Sequence, residues 1–126
     1  MKQPIKTDQA PAPIGPYNQA VQVGDTYYLS GQIAIDPATG ELKLGDLDEE
    51  THLVMKNIGA ILESQGLTYD HIVKTSIFLK SMGDFAQING IYGSYFTGNY
   101  PARETVEVAG LPKGVNVEIS VIAVKF

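Results

Sequence analysis

Short stretches rich in β-branched and aromatic residues are separated by polar turns in the first third of the chain. Residues 19–23 and 27–31 are two such stretches, on either side of a Gly-Asp pair that readily takes the positive φ angles of a tight turn. We therefore predict a β-hairpin. In its second strand, the alternation of side chains places Ser30 on one face and Gly31, together with Leu29, on the other.

From about Leu47 the period of the apolar positions becomes helical. Asp48, Glu49 and Glu50 fall in the first turn, where carboxylates favour the positive end of the helix dipole, and we expect them to be solvated. Gly66 suits the carboxyl-terminal cap. The apolar stripe of this predicted helix consists of Leu47, Thr51, Val54, Met55, Ile58, Ile61 and Leu62.

The second half of the chain predicts an inner strand at residues 72–79, a second helix, a strand at 101–108 and a last strand at 115–124. Asp84 and Gln87 have the spacing of a capping box that opens the second helix. Its apolar stripe is predicted to run through Ile88, Ile91, Tyr92, Tyr95 and Phe96.

The order of these elements is hairpin, helix, strand, helix, strand, strand. It predicts an α+β fold in which one sheet carries both helices on one face, and residues 1–126 as a single domain. The opposite face still carries apolar side chains of the last strand, such as Ile122 and Val124. Self-association would cover them.

The composition narrows the range of functions. A net charge of −5 with no run of Lys or Arg argues against a general nucleic-acid surface, and the chain has no cysteine to act as a thiolate or a metal ligand. His52 has no second histidine at ligand spacing, so no metal site is predicted. We expect neither a signal peptide nor a membrane helix, and hence a cytoplasmic protein.

The stretch 101–108, PARETVEV, carries the strongest candidate for a binding site. Arg103 and Thr105 are two residues apart in a predicted strand, so both side chains should leave the same face. A guanidinium held on a strand can bind a carboxylate through two parallel hydrogen bonds. The alternative is a surface arginine that pairs with Glu104, with Glu107 or with a neighbouring strand.

Four further residues are candidates for the same chemistry. Glu118 lies inside the apolar last strand, where a carboxylate is costly unless it is paired, and Arg103 on the neighbouring strand is its expected partner. Tyr17 follows a proline-rich loop and either lines a pocket or packs on the core. Ser30 is either a pocket hydroxyl or a structural serine. Asn89 falls on or beside an apolar helix stripe, where its amide either tethers nearby backbone or contacts a substrate directly.

Five separated blocks of the chain together resemble the RidA family, also called the YjgF/YER057c/UK114 family. They are APAPIGPYNQA, YYLSGQIAIDPATGEL, HIVKTSIFLKSMGDFAQIN, YPARETVEVAGLP and VEISVIAV. The resemblance covers nearly the whole chain. It implies a chorismate-mutase-like fold and a homotrimer with pockets between subunits. It also implies hydrolysis of reactive enamines and imines, of the 2-aminoacrylate or 2-iminobutanoate type, to 2-keto acids and ammonia, without a cofactor.

The resemblance also assigns roles to single residues. Arg103 matches the carboxylate-binding arginine of the family and Glu118 its water-positioning glutamate, while Tyr17, Ser30 and Asn89 match positions that line or support the pocket. Thr105 stands where many deaminating members have cysteine, which bears on efficiency and substrate choice. Two other functions stay open: a small-carboxylate binding or regulatory trimer, which the Thr105 difference favours, and an endoribonuclease or translation inhibitor, against which the acidic charge argues.

Overall fold

One mixed sheet of six strands carries two helices in the computed structural model, which describes all residues from Met1 to Phe126. The strand order is β1-β2-β3-β6-β4-β5, and only β4 and β5 run parallel. The predicted α+β class is confirmed. The elements are β1 Gln3–Ile5, β2 Ala20–Val23, β3 Thr26–Gln32, α1 Leu47–Glu63, β4 Ile72–Leu79, α2 Phe85–Gly93, β5 Ala102–Glu107 and β6 Val117–Val124.

The predicted hairpin is confirmed as the antiparallel pair of β2 and β3, and Gly24 in its turn has a φ of 59°. Strand β1 was not predicted. It has three residues, and its central Pro4 lacks an amide donor, but β1 pairs only with β2 and so stands at the edge of the sheet. A proline is tolerated there because one side of the strand needs no partner.

A β-bulge interrupts the pairing of β3 with β6. Leu29 pairs with Val121, but Gln32 pairs with Ile119, so β3 has one residue more than β6 over this interval. The bulge reverses the alternation that follows it. Gly31 therefore lies against the side chain of Glu118 and not on the face of Leu29, and its predicted face was wrong.

Helix α1 begins and ends close to where the apolar stripe predicts. Asp46 Oδ1 accepts a hydrogen bond from the amide of Asp48 at 2.9 Å, which caps the start. Gly66, with a φ of 72°, follows the last turn and allows the Leu67 amide to return to the Leu62 carbonyl. The stripe faces the sheet, and its residues Val54, Met55, Ile58, Ile61 and Leu62 are at most 1% exposed.

Glu50 corrects the expectation of a solvated first turn. Its side chain is fully buried, and its two carboxylate oxygens accept hydrogen bonds from the backbone amide and the side-chain amide of Asn116, at 2.8 and 2.7 Å. A buried carboxylate is tolerated when such donors satisfy it. Glu50 thus ties the start of α1 to the loop that leads into β6.

Helix α2 is shorter than its apolar stripe suggests, and the predicted capping box was wrong. Asp84 makes no capping hydrogen bond with its side chain, and Gln87 donates instead to Asp48 Oδ1 of α1 at 2.7 Å. A short 3-10 turn, Met82–Asp84, precedes the helix and is capped by Ser81. The helix ends at Gly93, although Phe96 beyond it is still buried.

The two faces of the sheet have different surroundings. Val117, Ile119 and Val121 of β6 belong to the buried apolar core that also includes residues of both helices, which confirms the predicted inward face. On the opposite face, Tyr28 is 46% exposed and Val106 41% exposed. This open face is a broad, partly apolar surface. No helix has the length and apolarity to span a membrane.

Candidate functional site

Arg103 lies on β5, at the edge of the sheet beside α2. It pairs in register with Thr75 of β4 and so points to the side of the sheet that carries the helices. Its Nη1 donates a hydrogen bond to Asn89 Oδ1 at 2.6 Å. The guanidinium carbon also lies 5.6 Å from the centre of the Phe85 ring and 5.3 Å from that of the Tyr92 ring.

Arg103 forms no ion pair with a carboxylate of its own chain, so the alternative of a surface pair with Glu104 or Glu107 is wrong. Glu104 points to the opposite face, where Lys74 Nζ approaches it at 2.9 Å and Ser76 donates a hydrogen bond to it. The Ser76 hydrogen bond and, next, Lys74 lower the pKa of Glu104. Glu107 Oε1 accepts from the amide of Met82 at 2.7 Å. The positive charge of Arg103 is left available for an external anion.

Asn89 is exposed and not buried as its place in the helix stripe suggested. The amide does not tether backbone; its oxygen accepts from Arg103. A guanidinium has only donors, which fixes the oxygen of the amide toward Arg103 and leaves the two N–H groups of Asn89 free. Arginine and asparagine together present several donors at one place, as a carboxylate ligand requires.

Thr105 shares the face of Arg103, as the alternation along the strand predicts. Its hydroxyl oxygen is buried and has no hydrogen-bond partner in the chain. Ile77, Leu79 and Ile88 line the recess around it. An unsatisfied buried hydroxyl is unfavourable, so a ligand atom that bonds to Thr105 would relieve this cost.

An open cleft of about 680 Å³ adjoins this group of residues. Arg103, Asn89 and Tyr92 form part of its wall, and Tyr100 and Pro101 close the side next to the start of β5. Its size is suitable for a small organic molecule. We call Arg103, Asn89 and Thr105, with this cleft, the arginine group.

Glu118 belongs to a second and separate group. With Tyr17 and Gly31 it lines a recess of about 50 Å³ under the proline-rich loop. It is half-buried and accepts no hydrogen bond from the chain, and its burial raises its pKa above the usual 4.5. Tyr17 is 46% exposed, and its hydroxyl accepts from the amide of Ile14 at 3.2 Å. We call these three residues the glutamate group.

One hydrogen bond and one glycine shape the surroundings of the glutamate group. The Ser30 hydroxyl donates to the carbonyl of Asn18, the residue after Tyr17, at 2.6 Å. Of the two interpretations of Ser30, this contact fits the structural serine. At Gly31, an added Cβ atom would lie 2.7 Å from Glu118 Oε2. The absence of a side chain at Gly31 therefore gives Glu118 the space that it occupies.

The two groups do not meet within one chain, and the expected pairing of Glu118 with Arg103 was wrong. Strand β4 lies between β5 and β6. Ile77 of β4 pairs with both Thr105 and Ile119, whereas the next residue, Phe78, pairs with Glu118. Because adjacent residues of a strand face opposite ways, Glu118 and Arg103 leave opposite faces of the sheet.

Three residues at these sites were not predicted: Phe85 and Tyr92 beside Arg103, and Gly31 beside Glu118. The two aromatic residues had a detectable signal, since Asn89 is four residues after Phe85 and three before Tyr92, which is the spacing of one helix face. The position of Gly31 beside Glu118 depends on the bulge in β3, and the alternation of residues along the strand does not predict it.

Comparison with known proteins gives matches along nearly the whole chain. A model of the family described as endoribonuclease L-PSP matches residues 7–125. Protein DfrA of Myxococcus xanthus is 53% identical over 95% of this chain and 93% of its own. The 2-iminobutanoate/2-iminopropanoate deaminase of Mus musculus is 49% identical over 96% of this chain and 90% of its own. The crystal structure of E. coli TdcF with bound serine, 40% identical, has a TM-score of 0.94 and covers 98% of this chain and 99% of TdcF.

Proposed function

The chain belongs to the endoribonuclease L-PSP family, which is the YjgF/RidA family that its sequence resembles, and on that premise we propose that it is an enamine/imine deaminase. Its substrates are reactive intermediates of the 2-aminoacrylate and 2-iminobutanoate type, and its products are 2-keto acids and ammonia. The observation that carries the proposal is the arginine group, in which a guanidinium without a carboxylate partner lies beside the Asn89 amide. The name of the mouse relative and the serine bound to TdcF support it.

The active assembly in this proposal is a homotrimer. The open sheet face supports it, because Tyr28 and Val106 would be covered by a second copy of the chain. The separation of the two groups supports it as well. A complete site then forms at a subunit boundary, where the arginine group of one subunit faces the glutamate group of its neighbour.

Substrate binding begins at the carboxylate. Arg103 holds it through two parallel hydrogen bonds, and Asn89 fixes one edge of the guanidinium. The enamine tautomerises to the imine, and protonation of the imine nitrogen makes the imine carbon electrophilic. Positioning of this carbon against a water molecule is the main contribution of the site.

Hydrolysis requires a base for the attacking water. The Glu118 carboxylate, whose pKa is raised by burial, takes a proton as the water oxygen bonds to the imine carbon. The resulting carbon bears a hydroxyl and an amino group. Transfer of a proton to the nitrogen and loss of the hydroxyl proton then release ammonia and leave the keto acid, so one water is consumed for each imine. The free hydroxyl of Thr105 bonds to the leaving nitrogen.

Keto-acid release from imine generated in the assay tests this function. We expect the protein to accelerate hydrolysis of enzymatically generated 2-iminobutanoate well above the spontaneous rate, at catalytic concentrations. The second candidate is a binding or regulatory trimer, which the threonine at position 105 favours. Tight binding of 2-oxobutanoate without any acceleration would establish that alternative in its place.

The glycine at position 31 gives a prediction in which activity and stability separate. Gly31→Ala should lower kcat/KM by roughly tenfold or more, because the new methyl group displaces the Glu118 carboxylate. The melting temperature should change little, since the atoms that must move are the end of a flexible side chain. Gly45→Ala is the matched control, because nothing lies within 4 Å of a Cβ atom at that position. Full activity of Gly31→Ala would contradict the placement of Glu118 in the site.

A further inference from the structure

We propose that the rings of Phe85 and Tyr92 act as positioning residues for Arg103, holding its guanidinium in the orientation that receives the substrate carboxylate. The inference rests on the proposed function and adds two residues to it. We call Phe85 and Tyr92 together the aromatic support. Both belong to α2 and lie on the same face of the helix as Asn89.

The guanidinium of Arg103 is held by the aromatic support and by Asn89, and its other N–H groups have no partner in the chain. The guanidinium carbon lies over both rings, 5.6 Å from the centre of Phe85 and 5.3 Å from that of Tyr92, within the range of a cation–π interaction. Asn89 accepts from Nη1 at one edge. The remaining N–H groups lie in the plane of the guanidinium, and none of them donates a hydrogen bond within the chain, so they are available to a ligand.

Tyr92 is itself fixed from inside the protein. Its hydroxyl donates to Thr75 Oγ1 at 2.9 Å, in a fully buried contact, and its ring packs on Phe96 with 5.0 Å between ring centres. Thr75 is also the register partner of Arg103 on the adjacent strand. The position of the Tyr92 ring and the position of the Arg103 backbone are therefore set by the same residue of β4.

Arg103 needs this support because of where it lies. It is exposed, on an edge strand, and its long side chain has many rotamers in solution. Binding a carboxylate through two hydrogen bonds requires one of these rotamers. A side chain held beforehand by rings and an amide loses less entropy on binding, which strengthens the site without any added contact to the substrate.

Replacement of each ring tests the proposal. Phe85→Leu keeps an apolar side chain but removes the aromatic face, and we expect kcat/KM for 2-iminobutanoate to fall about three- to tenfold. The dissociation constant of 2-oxobutanoate should rise by a similar factor. Phe85→Tyr keeps the aromatic ring, so its kcat/KM and its dissociation constant should stay close to those of the parent protein. Tyr92→Phe keeps the ring but loses the bond to Thr75, and should give a smaller loss in the same direction.

The control separates positioning from general destabilisation. Tyr95→Leu removes a ring that packs, tilted, against Tyr69 and His52 and does not lie beside Arg103. It should leave kcat/KM unchanged even if the melting temperature falls. A loss in Tyr95→Leu as large as that in Phe85→Leu would overturn the proposal. So would an unchanged dissociation constant in Phe85→Leu.

A double-mutant cycle distinguishes failure of this inference from failure of the proposed function. If Phe85 acts through Arg103, then Phe85→Leu should cause almost no further loss in an Arg103→Ala background, followed at high enzyme concentration. An equal loss in both backgrounds would show that the ring acts independently of Arg103, and the inference would fail alone. If Arg103→Ala were as active as the parent, the anion site itself would be wrong, whatever the rings do.

Discussion

Arg103→Ala should lower kcat/KM for 2-iminobutanoate by roughly two decades or more, because charge-assisted bidentate hydrogen bonds to the carboxylate contribute several kcal/mol to transition-state binding. The loss should be specific to the site. Arg103 has no ion pair within the chain, and its hydrogen-bond partner Asn89 is exposed and can turn to water. The melting temperature should therefore change little.

Two matched variants define what is lost. Arg103→Lys keeps the charge but not the planar fork, and should retain an intermediate activity. Lys56→Ala removes one positive charge from an exposed position of α1 and should leave kcat/KM unchanged. If Arg103→Ala hydrolyses 2-iminobutanoate as fast as the parent protein, the assignment of Arg103 is wrong.

The chain offers a second, chemical measurement of the same prediction. Arg103 is its single arginine, so a reagent specific for guanidinium groups, such as phenylglyoxal, has one target. Modification should abolish activity in proportion to the fraction of Arg103 modified, and 2-oxobutanoate should protect against it. Complete modification with full activity would contradict the prediction independently of any substitution.

The Arg103→Ala variant also tests whether any measured RNA cleavage belongs to this protein. The family description names an endoribonuclease, while the net charge of −5 argues against a general RNA surface. An RNA cleavage activity that is unaffected by Arg103→Ala and separates from the protein on a column would belong to a contaminant. Cleavage that stays with the protein and is lost in Arg103→Ala would support the endoribonuclease function.

Local patterns were sufficient to predict much of the fold. The stripe of α1 and the alternation of β6 are visible because each element has one buried face, and burial imposes the helical or strand period on the sequence. Strand β1 is too short to show a period. Glu50 is buried because of Asn116, which is far along the chain, and a local pattern carries no information on such a partner.

Spacing along one strand predicts which candidate residues share a face, but it does not predict how residues of different strands are arranged. Two residues apart in a strand, Arg103 and Thr105 must lie on the same face, so their shared face followed from their spacing alone. The placement of Glu118 depends on strand order, and β6, although last in the chain, pairs between β3 and β4. Sequence neighbours such as β5 and β6 are often adjacent in a sheet, and that general tendency led to the wrong pairing of Arg103 with Glu118.

Glu118→Gln should lower kcat by roughly two to four decades, the usual contribution of a general base, while the side chain keeps its size. The direction in which the rate changes with pH follows from the same role. Only the carboxylate can accept a proton, and burial raises the pKa of Glu118 above 4.5. The parent rate should be full above this raised pKa and should decline as the pH falls through it. The residual activity of Glu118→Gln should lack this decline; an unchanged pH profile would show that another group is the base.

Mixing Arg103→Ala with Glu118→Gln, each of low activity alone, tests whether the site is shared between subunits. Neither Arg103→Ala nor Glu118→Gln has a complete site, but a boundary between them can combine intact Arg103 from one subunit with intact Glu118 from its neighbour. Random exchange of equal amounts should restore about a quarter of the parent activity, because each residue is intact with a chance of one half. Since the two residues leave opposite faces of one chain, we expect this recovery. Exchanged mixtures that stay inactive would contradict a site at the subunit boundary.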